Sequence, residues 1–502
     1  MHPPRLPVAT ALAAAGGLVT NLAFPHHSWW FLAFAGVALL VLSLRGARPR
    51  SGFLLGLVWG LAFFLPLLSW SIVSVGQWIP WFALSVYQSL YIAVYGLLHA
   101  LVMSRELSRG KGAVVVPLLW VAVEQLRMLF PFGGFPWGAL AFSQVEGPLL
   151  PLASWGGTAL TSLVVVGVGH ALAGLVIRPG LRSLGAAGAA VVVVVASTAI
   201  PLDAGAESGE IAVAAIQGNV PVRGGEALGQ AREITANYRA ITERLADGDE
   251  PFDVVLWPES AADVDPRSHA DVAADVTAAQ DAAGVALLFG TQRYTEEYRY
   301  NEYVAWLDGA AIGAYTKQHP VPFGEYIPFR DFFRTLSSAV DLVSVDMAQG
   351  QDPGVLEIPV ERLGRTVTFG VGICFEVAYH ELLRESVAHG AELLVIPTNN
   401  ASFGFTQEAT QQLGITRFRA VEHGRSTVQV STVGVSAYFL PDGSTVARST
   451  DELYTEWVGL ETLPLRTSTT VSDRLGEWPR NVVWIVALAW IAAALVSRRR
   501  RT

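Results

Sequence analysis

Eight long apolar runs constrain the fold of this chain more than any other feature of its sequence. Of its 502 residues, 52% are hydrophobic and 15% are charged, which is too apolar for a soluble protein of this length. Each run is close to the ~20 residues that a helix needs to cross the hydrocarbon core of a bilayer. The sequence therefore predicts a multi-pass α-helical membrane bundle of about eight spans. The runs lie at about 5–24, 28–44, 52–75, 80–103, 113–130, 150–177, 183–202 and 481–497.

Positively charged loops give the predicted spans an orientation. Arginine and lysine are concentrated after the even-numbered spans and are nearly absent from the alternate loops, so the even-numbered spans should end in the cytoplasm. The first run is also compatible with a cleaved signal peptide, which would leave the remaining topology unchanged. The charged loop residues are Arg45, Arg48, Arg50, Arg105, Arg109, Lys111, Arg178, Arg182 and Arg498 to Arg501.

This topology divides the chain into three predicted parts. Residues 1–205 should form seven spans, residues 206–475 an exported domain, and residues 476–502 an eighth span with a basic cytoplasmic tail. The net charge of −9 comes mostly from the exported part and no basic face is visible, so we expect no nucleic-acid partner. The histidines are scattered without ligand spacing, so we expect no metal and no other cofactor.

The exported part alternates short β-rich runs with amphipathic helices. This pattern predicts a layered α/β sandwich, and its length suffices for one large core. The predicted strands are Ile211–Ile216, Val254–Trp257, Val285–Phe289, Tyr303–Leu307, Ala311–Tyr315, Thr366–Cys374, Leu393–Pro397 and Thr427–Thr432. The predicted helices are Glu226–Ala246, Ala270–Gly284, Phe375–Gly390 and Gln407–Gly424.

Three reactive side chains follow predicted strands, namely Glu259, Lys317 and Cys374, the only cysteine. The cysteine should stand at the start of a helix, where free N–H groups and the helix dipole favour the thiolate. Taken singly, the glutamate fits a helix N-terminal charge, the lysine a solvated loop residue and the cysteine a small buried hydrophobe. Together at one edge of a sheet they favour acyl transfer, with a base, an oxyanion donor and a nucleophile.

The segments around these residues resemble the glutamate, lysine and cysteine signatures of the nitrilase superfamily. Because the chain also has many predicted spans, it resembles the membrane-bound branch, the apolipoprotein N-acyltransferase family, over essentially its whole length. The signature segments are Trp257-Pro258-Glu259-Ser260, Tyr315-Thr316-Lys317 with Pro322-Phe323-Gly324-Glu325, and Gly372-Ile373-Cys374-Phe375-Glu376. Further matches are Gln217-Gly218-Asn219, Phe135-Pro136-Trp137, and Arg417 to Arg425.

The resemblance implies a nitrilase-like αββα sandwich and a ping-pong reaction. Cys374 would attack a phospholipid ester to give a thioester, and the acyl chain would then pass to the amine of a diacylglyceryl-cysteine on an apolipoprotein. Glu259 would act as the base. Lys317 and the N–H of Phe375 would stabilise the oxyanion. The family also implies a monomeric enzyme of the cytoplasmic (inner) membrane, with its catalytic domain on the extracytoplasmic face.

Further site residues follow from the same resemblance. Glu325 and Glu376 match the supporting carboxylates of the family and would orient the lysine. Asn399 is a candidate for contact with substrate. The chain has Ser402 where the family more often has tryptophan, and the arm at 222–225 also lacks the usual tryptophan, so acyl-chain and headgroup preference stay open.

The aromatic segment Phe323–Phe333 predicts a flap that dips towards lipid, although a loop packed into the core would have the same composition. Phe329, Phe332 and Phe333 are the candidate lid residues.

Two other functions are compatible with parts of this pattern. The first is a membrane-anchored exported amidase or nitrilase acting on a small amide, although anchoring would need only one span. The second is a transporter or receptor whose exported domain binds a ligand, although such proteins have more charged residues within their spans.

Overall fold

The computed structural model describes residues 3–103, 112–220, 227–335 and 337–499. Several residues used above lie outside these ranges: Arg105, Arg109, Lys111, the arm residues 222–225, Glu226 of the first predicted helix, Arg500 and Arg501. The chain divides into two compact units, Met1–Pro201 with Arg474–Thr502, and Leu202–Asp473.

The first unit is a bundle of apolar helices. Within the described residues, five segments are long and apolar enough to cross a membrane, which fits a multi-pass membrane protein. These five segments are Pro49–Leu67, Trp78–Val102, Gly112–Leu129, Leu150–Ile177 and Trp478–Val496. The helices of this unit are α1 (Leu6–Asn21), α2 (Leu32–Ser43), α3 (Pro49–Leu67), α4 (Trp70–Val75), α5 (Trp78–Val102), α6 (Gly112–Leu129), α7 (Ala153–Ile177), α8 (Leu181–Ser197) and, after the second unit, α15 (Trp478–Arg499).

Three of the eight predicted spans are shorter than expected. Helices α1, α2 and α8 are apolar, but they contain 16, 12 and 17 residues. At about 1.5 Å per residue, the shortest is about 18 Å long, against a hydrocarbon core of about 30 Å. Apolar residues in the connecting turns lengthened these runs in the sequence, so the prediction of eight full-length spans is only partly supported.

Close backbone contact between α3 and α5 depends on two glycines. A Cβ atom at Gly52 would lie 2.4 Å from the carbonyl oxygen of Gly96, and one at Gly96 would lie 2.2 Å from that of Gly52. Small residues let helices approach this closely where lipid supplies no hydrophobic driving force between them. A larger side chain at either position would therefore push the two helices apart.

Two charged side chains of α6 hold the loop that follows this helix. Arg127 donates hydrogen bonds of 2.7 Å and 2.8 Å to the carbonyl oxygens of Phe135 and Trp137. Glu124 Oε1 accepts one of 2.9 Å from the N–H of Leu140. Both side chains are buried, so these bonds satisfy polar groups that lipid could not.

The second unit is built from two six-stranded sheets, which confirms the prediction of a layered α/β sandwich. Their strand orders are β12-β1-β2-β3-β4-β5 and β11-β10-β9-β8-β7-β6. The strands are β1 (Glu210–Gln217), β2 (Val254–Leu256), β3 (Ala286–Tyr294), β4 (Arg299–Leu307), β5 (Ala310–Thr316), β6 (Val355–Val360), β7 (Arg365–Val371), β8 (Leu393–Thr398), β9 (Ser426–Ser431), β10 (Ala437–Phe439), β11 (Thr445–Arg448) and β12 (Trp457–Pro464).

Alternating side chains explain how the layers pack. Val213 of β1 faces a core shared by both sheets, whereas its neighbour Ala214 faces the helices outside the first sheet. Two helices cover each sheet, which gives the αββα order. The helices of this unit are α9 (Ala227–Ala246), α10 (Ala270–Ala283), α11 (Arg330–Arg334), α12 (His380–Ala388), α13 (Glu408–His423) and α14 (Val471–Leu475).

Strand direction brings the reactive residues to one edge of each sheet. Strands β1, β2 and β3 run parallel, and so do β7, β8 and β9. Glu259 follows β2, and Cys374 follows β7. The first and last strands, β1 and β12, pair along their whole length with Glu210 opposite Pro464.

The predicted helix Phe375–Gly390 is the clearest error in this unit. The chain instead forms a 3-10 turn over Cys374–Ala378 and then the α-helix His380–Ala388. The Glu376 carboxylate holds the turn by accepting hydrogen bonds from the backbone N–H of Ile373, just before the turn, and of the distant Gln318, so tertiary contacts override the helical pattern. Four strands were also missed: β6, β10, β11 and β12.

Candidate active site

The structure brings the three predicted catalytic side chains into one cluster. Lys317 Nζ lies 3.9 Å from Glu259 Oε1, and the Cys374 thiol is within hydrogen-bonding reach of the Glu259 carboxylate. The three residues come from the ends of β5, β2 and β7, so strands of both sheets contribute to the cluster. A carboxylate therefore lies between a buried cation and a thiol.

Glu259 is fixed by two hydrogen bonds. Its Oε1 accepts a 2.6 Å bond from the side chain of Asn301, and its Oε2 accepts a 2.8 Å bond from the backbone N–H of Asn399. Burial raises the pKa of Glu259 above its ordinary value, and the charge of Lys317 opposes this increase only in part. A carboxyl group with a raised pKa takes up a proton more readily, which a general base at neutral pH requires.

Lys317 has no exposed surface and is held by Glu325. Its Nζ lies 2.6 Å from Glu325 Oε1, and Glu325 Oε2 accepts a 2.7 Å bond from the N–H of Val321. Burial alone would lower the pKa of Lys317, but Glu325 and Glu259 outweigh burial and raise it above its ordinary value. The ammonium group therefore keeps its charge in the site.

Glu376 ties the lysine loop to the cysteine turn. Its Oε1 accepts bonds of 2.7 Å and 2.9 Å from the N–H groups of Gln318 and His319, directly after Lys317. Its Oε2 accepts a 2.8 Å bond from the N–H of Ile373, directly before Cys374. This buried carboxyl group thus sets the distance between two chain segments that bear reactive groups.

Cys374 begins the 3-10 turn in a left-handed backbone conformation, with φ of 55°. Its sulfur lies 3.4 Å from Thr398 Oγ1 and 3.7 Å from Gln412 Nε2, and the residue is partly exposed. Burial of the thiol, with the negative charge of Glu259, raises its pKa above the ordinary value. Cys374 also begins a five-residue 3-10 turn and not the predicted α-helix, so the structure gives no support to a thiolate favoured by a helix N-terminus, and the thiol needs a base.

The remaining predicted residues differ in position. Phe375 is buried and its ring lies edge-on to Tyr379, with 5.9 Å between centroids. Asn399 contacts the site through its backbone N–H, while its Oδ1 accepts a 3.0 Å bond from Thr432 Oγ1. The contact between Asn399 and substrate stays a prediction, as does the oxyanion role of the Phe375 N–H.

The three candidate lid residues fall into two groups. Phe329 and Phe332 are 73% and 60% exposed. Phe333 packs against a small apolar cluster formed by Ile327, Val340 and Val343. The two exposed rings fit a surface that meets lipid, whereas Phe333 has a packing role.

Sequence reasoning missed several polar residues around the site. Asn301 is a buried residue near the start of β4, and Thr398 is the last residue of β8. In both cases the signal in the sequence was a polar residue within a buried strand. Gln412 lies on α13, a helix whose polar residues suggested a solvent-facing side. Among the residues that the structure describes, no group of three His, Cys, Asp or Glu side chains could hold a metal ion.

Two protein families match this chain. Residues 16–171 match the family described as apolipoprotein N-acyltransferase N-terminal domain, and residues 212–466 match the carbon-nitrogen hydrolase family. An apolipoprotein N-acyltransferase of Mycolicibacterium smegmatis is 35% identical, over 97% of this chain and 85% of that protein. The chain belongs to the apolipoprotein N-acyltransferase family.

A second relative with the same name supports this family, and a solved structure of lower similarity also matches part of the chain. A protein of the same name from Azotobacter vinelandii is 31% identical, over 97% of this chain and 95% of its own length. Nit3 of Saccharomyces cerevisiae, a solved member of the nitrilase superfamily, is 17% identical over 51% of this chain and 90% of its own, with a TM-score of 0.38.

Family membership confirms two predictions made from the motifs. The resemblance to apolipoprotein N-acyltransferases extends over nearly the full chain, and residues 212–466 contain the nitrilase-like carbon-nitrogen hydrolase domain. The protein is therefore an acyltransferase enzyme.

Proposed function

We propose that this enzyme transfers an acyl chain from a phospholipid to the N-terminal amine of a diacylglyceryl-cysteine on an apolipoprotein, through a thioester on Cys374. The names of its relatives support this choice of acceptor, because they are called apolipoprotein N-acyltransferases. The grouping of a thiol, a carboxyl group and an ammonium group supports the chemistry.

In the first half of the reaction, Glu259 takes the proton of the Cys374 thiol as the sulfur attacks the ester carbonyl carbon of the phospholipid. The ammonium group of Lys317 stabilises the negative charge that develops on the carbonyl oxygen. When the carbon–oxygen bond breaks, Glu259 returns the proton to the departing lysophospholipid oxygen. The products are a thioester enzyme and a lysophospholipid.

In the second half, the amine of the diacylglyceryl-cysteine attacks the thioester carbon. Glu259 takes a proton from the attacking nitrogen and gives it to the departing sulfur. Lys317 again faces the developing oxyanion. The products are an amide-linked acyl chain and the free thiol of Cys374, so the enzyme returns to its starting state without any cofactor.

One observation carries this proposal. The Glu259 carboxyl group is fixed by Asn301 and Asn399 in a position that reaches both the Cys374 thiol and the Lys317 ammonium group. A base with a raised pKa beside a thiol with a raised pKa can shuttle the same proton out and back.

The membrane arrangement is part of the proposal. We place the enzyme as a monomer in the cytoplasmic (inner) membrane, with eight spans and the catalytic domain on the extracytoplasmic face. The alternation of Arg-rich and Arg-poor loops supports this orientation. A reporter that is active only outside the cytoplasm should work when fused after Ser208, and activity only inside would contradict the orientation.

Intact mass measurement of the full-length protein tests the chemistry. After incubation with phospholipid, the protein should gain the mass of one acyl chain and lose it on treatment with hydroxylamine, which cleaves thioesters. Cys374→Ala should gain no mass, because the chain has no other thiol. Labelling of well-folded Cys374→Ala at the wild-type level would overturn the proposal, and ammonia release from short amides without acyl loading would favour an amidase instead.

A further inference from the structure

A second polar cluster contacts the Cys374 sulfur and takes no part in the chemistry described above. It consists of Thr398, Asn400, Glu408 and Gln412, all of them buried. Glu408 and Gln412 lie one turn apart on α13, so their side chains occupy the same face of that helix. Thr398 and Asn400 lie at and just after the end of β8.

The hydrogen bonds of this cluster fix which way the Gln412 amide points. Gln412 Oε1 accepts a 2.9 Å bond from Thr398 Oγ1 and a 2.8 Å bond from Asn400 Nδ2. Two donors therefore hold the amide oxygen. Its Nε2, which can only donate, then faces the Cys374 sulfur at 3.7 Å.

Asn400 is itself held on both sides. Its Nδ2 donates bonds of 2.6 Å to Glu408 Oε2 and 2.8 Å to Gln412 Oε1, and its Oδ1 accepts a 2.8 Å bond from Ser431 Oγ. If the asparagine amide flipped, its oxygen would face the Gln412 oxygen, so the bond to Gln412 would be lost. The orientation of Gln412 therefore depends on a chain of contacts that begins at Glu408.

Thr398 is a second donor to the sulfur and its hydroxyl also favours the thiolate, but it cannot bond to the sulfur and to Gln412 at the same time. Its hydroxyl has one proton, and two acceptors compete for it: Gln412 Oε1 at 2.9 Å and the Cys374 sulfur at 3.4 Å. While that proton points to Gln412, the Gln412 N–H is the donor that faces the sulfur. Of the charged groups near the sulfur, Lys317 stabilises the thiolate and Glu259 destabilises it. Glu408 would also destabilise the thiolate when it is ionised.

We propose that Gln412 is a further catalytic residue, whose side-chain N–H stabilises the Cys374 thiolate by a hydrogen bond. Asn400 and Glu408 are positioning residues that keep the N–H turned to the sulfur. This inference deepens the proposed function, since it assigns a stabiliser to the nucleophile of the first half-reaction. The thiol proton still goes to Glu259, and Gln412 gains and loses no proton.

The single cysteine makes a direct test possible. Iodoacetamide alkylates thiolates, so its rate of reaction with the full-length protein reports on Cys374 alone. The rate is measured from about pH 6 to about pH 10 for wild type, Gln412→Met and Gln429→Met. Methionine keeps the length of the side chain and removes the N–H. Gln429 is an equally buried glutamine that bonds to Thr416 and Val435 instead.

Over this range most of the thiol is protonated, so the alkylation rate at each pH reports the thiolate fraction. Gln412→Met should slow alkylation about tenfold throughout, the effect of one weak hydrogen bond to a charged group. Gln412→Glu should slow it further, because it also adds a negative charge. Gln429→Met should leave the rate unchanged. Thermal unfolding of each variant shows whether it is folded.

An unchanged alkylation rate in folded Gln412→Met would overturn the inference, and so would an equal slowing in Gln429→Met. Alkylation needs no acyl donor, so the two proposals fail separately. A protein that never loads an acyl chain but shows the slowing by Gln412→Met would contradict only the proposed function. A protein that loads normally and shows no slowing would contradict only the role of Gln412.

Discussion

The ammonium group of Lys317 lies 2.6 Å from the carboxylate of Glu325, in a place where the lysine has no exposed surface. Water cannot screen such a pair, and the ion pair of the lysine with Glu259 is longer, at 3.9 Å. The charge of the candidate oxyanion donor therefore depends most on Glu325, with Glu259 second.

Removal of that support should destabilise the second unit. Glu325→Gln should lower the free energy of unfolding by about 3 kcal/mol, because it leaves a buried cation with its main partner gone. Chemical denaturation of the detergent-solubilised protein measures this loss. Asp271→Asn, which breaks an exposed pair with Arg232, should cost less than about 1 kcal/mol. Equal costs for the two variants would contradict a special role for the buried pair.

Lys317 should be needed for chemistry and not only for folding. Lys317→Ala should slow formation of the acyl-enzyme by a factor of about 100 or more, the effect of losing one oxyanion donor. Lys317→Arg should restore little, because a planar guanidinium does not fit the space of a fully buried ammonium group. Single-turnover labelling with a fluorescent phospholipid gives the rates, at matched amounts of folded protein. Labelling near the wild-type rate in Lys317→Ala would remove the lysine from the reaction.

The two exposed phenylalanines, Phe329 and Phe332, should matter more for the turnover of lipid substrates than for that of soluble ones. Phe329→Ser with Phe332→Ser should slow turnover of a phospholipid more than turnover of a soluble thioester donor, because the two rings are well placed to contact acyl chains. Phe333→Ser is the matched control: it should lower stability by about 2 kcal/mol, since its ring packs against Ile327, Val340 and Val343. Equal slowing of both donors by the double variant would indicate that the rings have only a structural role.

Glu408 should make stability depend on pH. Burial raises its pKa to about 8 from the ordinary 4.5, so the folded protein holds this proton over a pH range where the unfolded chain has lost it. The contribution is fully present below about pH 4.5 and is lost as the pH rises through about 8, at up to about 1.4 kcal/mol per pH unit. Glu408→Gln should therefore lose less stability than wild type between these two pH values.

Urea unfolding at both ends of that range gives the comparison. The glutamine oxygen of this variant can still accept the bond from Asn400, so any change in slope reports on the proton. Asp271→Asn should keep the wild-type slope. A wild-type slope in Glu408→Gln would mean that this carboxyl group does not titrate in the range.

The reactive residues at the strand ends could be predicted from the sequence, but the polar side chains that orient them could not. Glu259, Lys317 and Cys374 could be predicted to meet because buried strands deliver their ends to a common edge. Asn301, Thr398 and Gln412 could not, since a polar residue in a strand or helix is buried or solvated according to the partner that packs on it. The Gln412 face of α13 is buried against the cysteine turn, a contact between residues far apart in sequence.

Local pattern also failed where tertiary contacts or chain ends decide the structure. The residues after Cys374 have helical spacing, yet Glu376 uses its carboxylate to hold Ile373, Gln318 and His319, and the helix begins only at His380. The missed strand β11 is short and mostly exposed at a sheet edge, so its sequence has little of the alternation that identifies strands. In the bundle, apolar residues of the connecting turns extended the apolar runs of the sequence, so some predicted spans were longer than the helices that form.

The pairing of β1 with β12 has a consequence for how the two parts of the chain could be separated. Because Glu210 lies opposite Pro464, the catalytic unit begins and ends side by side, as inserted domains commonly do. The excised unit could therefore be circularised by a short linker between these two ends, or transplanted into a surface loop of an unrelated host protein.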